Sequence, residues 1–118
     1  MSDILLVEDD FGVAIKTQAD LHSLGHEIDP ASTIDQAASN LMNGNYDLII
    51  IDYSMTVDAA VDLFALADAK EMPVIVASGY RRPVTLPDRY PFLQKPINAD
   101  EWRNAIENLS KINAGGSL

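Results

Sequence analysis

The chain has 118 residues, a formal charge of −10 and no cysteine; it is long enough for one domain with its own apolar core, and it excludes thiol catalysis, zinc–thiolate sites and a disulfide scaffold. Only eight Lys and Arg are spread along it, so a nucleic-acid backbone finds no basic surface and is not an expected partner. No apolar run approaches the roughly 20 residues that cross a bilayer, and the first strand starts too early to leave space for a signal peptide; a cytoplasmic protein without membrane contact is expected.

Ile4-Leu5-Leu6-Val7 is wholly apolar and stops at Glu8-Asp9-Asp10, which reads as a strand buried on both faces and ending in carboxylates. Phe11, Ala14, Ile15, Ala19, Leu21 and Leu24 then fall at roughly helical spacing, with Asp9 or Asp10 to cap the start and Gly25 to end it. His26–Asp29 has little apolar content and is expected as a strand at a sheet edge. Thr33 and Gln36 look like a capping box opening a helix through Asn43. Asp47–Asp52 is the second fully apolar strand, and Asp52 closes it. Val57–Lys70 reads as a helix, and Pro73–Ala77 as a strand ending at Ser78-Gly79.

The alternation calls next for a helix, yet Pro83 and Pro87 stand in 79–89. A proline inside a helix costs about 3 kcal/mol. This stretch is therefore expected as loop, with at most a turn of helix, and as the most mobile internal segment. Phe92–Gln94 is a brief fifth strand ending at Lys95-Pro96. Asn98 with Glu101 opens a last helix with Trp102, Ala105, Ile106, Leu109 and Ile112 on one stripe. Residues 1–113 form the domain and 114–118 a tail. Strands separated by helical segments imply a doubly wound, five-stranded parallel α/β sheet with the fourth helix short or missing.

Such a sheet collects Glu8, Asp9, Asp52, Ser78 and Lys95 at its carboxyl edge, where open α/β folds place their chemistry. Each has a plainer reading. The acidic trio suits any helix start, Asp52 could be a cap, Ser78-Gly79 is most often a turn, and Lys95 could simply face water. Jointly they point to a site. Three carboxylates at one edge repel unless a cation joins them, and the crowding should raise at least one carboxyl pKa. Mg²⁺ takes oxygen ligands of this kind. With it bound, Asp52 can attack phosphorus, Lys95 supplying a point charge and Ser78 a hydrogen bond to the equatorial oxygens.

At Leu5–Asp10, Ile50–Met55, Val74–Gly79 and Phe92–Pro96 the chain resembles the receiver domain of two-component response regulators, over essentially its whole length. The resemblance implies a CheY-like (flavodoxin-like) fold with strand order 2-1-3-4-5. It implies Mg²⁺ held by Glu8, Asp9, Asp52 and the Ser54 backbone carbonyl. Asp52 is then the phosphoacceptor for a histidine kinase or phosphotransfer protein. Ser78 and Phe92 are the switch residues, and Lys95–Pro96 is a cis bond. A stand-alone receiver of this kind is not an enzyme beyond its own phosphorylation and dephosphorylation. It signals to an unidentified downstream protein as a monomer or weak dimer. Thr56–Ala60 departs from the family's loop after the phosphoacceptor, and Phe92 lacks the hydroxyl common at its position. Ala77-Ser78-Gly79-Tyr80 and the short interval to Lys95 are similar to the alphaproteobacterial "FAT GUY" receivers, although Val74, Val76 and Ser78 replace that subgroup's Phe, Phe and Thr. Two alternatives stay open: a haloacid-dehalogenase-like phosphatase, against which Ser54 stands where a second Asp is needed, and a pseudo-receiver that binds partners without phosphorylation.

Overall fold

Apolar runs without polar alternation find enough cover only between two layers, and the chain puts them there. The computed structural model describes residues 2–52, 57–84 and 86–116, with the backbone alone for 57–60 and 110–116. Its elements are β1 (Asp3–Val7), α1 (Phe11–Ser23), β2 (Glu27–Ala31), α2 (Ile34–Asn43), β3 (Leu48–Asp52), α3 (Val57–Ala69), β4 (Val74–Ser78), β5 (Phe92–Gln94) and α4 (Ala99–Gly116). The strands form one parallel sheet in the order β2-β1-β3-β4-β5. β2 is the expected edge strand, and it runs on through Pro30 to Ala31. Proline has no N–H to give a ladder, which suits an edge and not a centre.

Period-two alternation splits the core in two. Leu5, Val7, Ile49, Ile51, Val74 and Val76 pack with Ala37 and Leu41 of α2 and with Leu63 and Ala67 of α3. Ile4, Leu6, Ile50, Ile75 and Ala77 pack on the other side with Ala14 and Leu21 of α1 and with Trp102 and Ile106 of α4. Every residue of β3 is buried. At about 2 kcal/mol for each buried aliphatic side chain, this strand gains enough to carry a desolvated carboxylate at its end.

The helix ends follow local chemistry. The Asp10 side chain accepts from the Val13 N–H at the start of α1. Past its end, Gly25 takes φ +94° while the His26 N–H returns to the Leu21 carbonyl, a backbone turn that glycine makes without strain. Thr33 caps α2 through the Gln36 N–H, but the Gln36 side chain accepts from the Ser32 N–H, one residue earlier than a capping box requires. Asn98 and Glu101 form the reciprocal pair at α4. That helix continues to Gly116, into the stretch expected as a tail; 117–118 lie outside the described residues.

Between β4 and β5 no described residue is helical, as the two prolines predict. The segment is nonetheless anchored. Leu86 and Tyr90 are buried in the core on the α2/α3 side, where a helix would have presented its apolar stripe. Their amides donate to the carbonyls of Pro83 and Pro87, closing two single turns. Arg82 is half-buried and donates to the carbonyls of Pro87 and Tyr90, while Arg81 is exposed.

Candidate functional site

Register brings the site together. Val7 pairs with Ile51, Asp52 with Ala77 and Ser78 with Gln94, so the residues that end or follow four parallel strands meet at one edge. Glu8 and Asp52 are only 5% and 3% exposed, whereas Asp9 is open to solvent. One carboxylate oxygen from each of Glu8, Asp9 and Asp52 lies within 4.8 Å of the other two. Lys95 reaches in from beyond β5, its Nζ 2.7 Å from Glu8 Oε1 and 3.2 Å from Asp52 Oδ2. The Asp10 N–H donates to the second Glu8 oxygen at 3.3 Å.

These contacts set the protonation. Burial, followed by the neighbouring Asp52, pushes the Glu8 carboxyl up to about 7, against the opposing pull of Lys95. The direction is the one expected of crowded carboxylates, but desolvation outweighs repulsion as its cause. Burial would lower the Lys95 pKa, yet its bond to Glu8 and the charge of Asp52 win and hold it above the usual lysine value. Lys95 thus balances part of the carboxylate charge itself, a role that the sequence does not announce.

Three carboxylates with one face open are a donor set for a hard divalent ion, since Mg²⁺ is held by one or two carboxylates with water and other oxygens completing its shell. The fourth expected ligand, the Ser54 carbonyl, lies outside the described residues, as do Tyr53, Met55 and Thr56. Ser78 ends β4 at 3% exposure, and its Oγ accepts from the Tyr80 N–H at 3.1 Å. Its carbonyl accepts from the Lys95 N–H at 2.7 Å, tying together the two residues expected to grip a phosphoryl group. Phe92 is half-buried in β5 against the α2/α3-side core. The Lys95–Pro96 peptide bond is cis.

No protein-family model matches the chain, and no curated protein matches it. Solved structures do. A CheY-like receiver domain protein from Methanospirillum hungatei superposes with a TM-score of 0.83 at 21% identity, covering 98% of each chain. The response regulator TrrA from Thermotoga maritima, solved in complex with Mg²⁺ and BeF, gives 0.79 at 26% identity over 92% of this chain and 99% of that one. The receiver domain of the hybrid histidine kinase CckA gives 0.74 at 26% identity over 90% and 96%. The chain has the fold of CheY-like receiver domains. Within the receiver fold, the residues that sequence reasoning missed are Arg82, Leu86, Arg89 and Tyr90. They belong to the helix-less segment, and only Tyr90, an aromatic just before the last strand, left a signal that could have been followed.

Proposed function

We propose that this receiver domain is a phosphoacceptor of two-component signalling, modified on Asp52 by a histidine kinase or histidine phosphotransfer protein. One observation carries the reading: a buried strand-end aspartate with Glu8 and Asp9 oxygens within 4.8 Å and a lysine ammonium at 3.2 Å. An Asp52 oxygen attacks the phosphorus of a phosphohistidine, the P–N bond breaks, and the imidazole leaves with its electron pair and takes up a proton. Mg²⁺, held by Glu8, Asp9, Asp52 and the Ser54 carbonyl, would neutralise the incoming phosphoryl oxygens. Lys95 exchanges its bond to Asp52 for one to a phosphoryl oxygen, and Ser78 donates to another. Phe92 repacks as the adjoining strand end shifts. The output is contact with a downstream protein. Kinases of this class present their phosphohistidine in the cytoplasm, which is where this chain would act.

Incubation with Mg²⁺ and acetyl phosphate, followed by intact mass, tests the proposal. One phosphoryl adduct that needs Mg²⁺ and disappears in Asp52→Asn is expected. Fast multiple turnover of small phosphate esters would identify a phosphatase instead, and no Mg²⁺-dependent adduct would leave a phosphorylation-independent binding module.

A further inference from the structure

Among the described residues, α1, α2 and α4 each open on a side-chain cap, and in two of them the residue three places on reaches back. At α4 the Asn98 side chain accepts from the Glu101 N–H at 2.8 Å, while Glu101 Oε1 accepts from the Asn98 N–H at 3.3 Å. At α2 the Gln36 side chain accepts from the Ser32 N–H at 3.0 Å. The start of α1 is built differently. Its cap, Asp10, accepts from the Val13 N–H through the side chain at 3.0 Å and from the Ala14 N–H through the carbonyl at 2.9 Å. Val13, however, stands where a capping box carries Glu or Gln, and it has no acceptor to return. The Asp10 N–H is left to bond outside the helix, and it donates to Glu8 Oε2 at 3.3 Å.

Glu8 is thus held at both oxygens, by the Lys95 ammonium at 2.7 Å on Oε1 and by this amide on Oε2. The two donors differ in kind. An ammonium rides on a flexible stem, whereas a main-chain N–H moves only with its turn, and this turn is closed by two hydrogen bonds into the helix. We propose that Asp10 is a positioning residue: by capping α1 it fixes the amide that orients the Glu8 carboxylate for a divalent ion, and Val13 keeps that amide available by offering no competing acceptor. The inference rests on the phosphoacceptor reading and deepens it. Asp10 is not one of the three carboxylates that gather within 4.8 Å of one another. Its own side chain is exposed and committed to the Val13 amide, so it acts through the backbone and not as a fourth ligand.

Mg²⁺ affinity by calorimetry at fixed ionic strength, measured beside urea stability in EDTA, tests this without any turnover. Val13→Gln supplies the missing half of the capping box. It should leave the metal-free protein as stable as the wild type or more so, and it should weaken Mg²⁺ binding several-fold, because the Asp10 N–H gains a second acceptor. A merely structural change would lower stability and affinity together. Val13→Thr, too short to reach back to that amide, should bind Mg²⁺ as the wild type does. Asp10→Ser and Asp10→Ala both remove the charge, but only serine keeps a cap; the serine variant should hold Mg²⁺ several-fold more tightly than the alanine variant. Equal affinity in wild type and Val13→Gln overturns the proposal and leaves the phosphoacceptor intact. Equal affinity in Asp10→Ser and Asp10→Ala does the same, and that comparison stands even if Val13→Gln fails to fold. A wild type that binds no Mg²⁺ overturns the parent reading and the positioning role together.

Discussion

Glu8 is where burial and charge compete most openly. Its carboxyl is pushed up to about 7 from an ordinary value of 4.5, so between those limits the native state holds a proton that the unfolded chain has released. Stability must then fall as pH rises through this window, because ionising Glu8 beside Asp52 is harder in the fold than in water. Urea melts in EDTA from about pH 5 to about pH 8 should show that slope, and Glu8→Gln should remove most of it. Excess Mg²⁺ should reverse its sign, since the ion binds the carboxylate and not the acid. An EDTA slope equal in wild type and Glu8→Gln would mean that the titrating group lies elsewhere. At this scale the carboxylates and Lys95 were legible because each stands at or just past the carboxyl end of a strand. The Lys95–Glu8 bond was not, because which partner a flexible ammonium chooses depends on distances across the sheet.

Among the elements, the segment between β4 and β5 separates what sequence can say from what it cannot. Two prolines forbid a helix there, and that much was readable. The burial of Leu86 and Tyr90 was not, because a loop has no period by which to recognise its inward residues, and Arg82 bonds to main-chain carbonyls that every sequence possesses. Leu86, at 4% exposure in the core, should behave as a core residue: Leu86→Ala should cost about 2–4 kcal/mol by urea denaturation. A loop side chain that merely touched the surface would give within about 0.5 kcal/mol, and a value in that range would show that the segment does not cover the sheet. The other elements were legible almost to their ends. Asp10, Thr33, Asn98 and Gly25 mark helix boundaries by hydrogen bonds that depend on local sequence alone, whereas the extension of β2 through Pro30 depends on its pairing with β1.

For the molecule as a whole, the net charge of −10 complicates any measurement of metal binding, because every cation relieves some of the general self-repulsion. A specific ion must do more than screen. Bound only by the native state, Mg²⁺ at ten times its dissociation constant adds about 1.4 kcal/mol to the unfolding free energy, which for a domain of this size is a rise of about 5 °C in Tm. Sodium chloride at matched ionic strength supplies the screening without the coordination, so the quantity that matters is the excess of the Mg²⁺ shift over the sodium shift. In the wild type that excess should be several degrees. In Asp52→Asn it should shrink towards zero, even though that variant has lost a carboxylate from a crowded site and should melt higher than the wild type in EDTA. The opposite movements of baseline and metal response separate coordination from charge relief. Equal Mg²⁺ and sodium shifts in the wild type would show that the three carboxylates gather at the sheet edge without holding an ion.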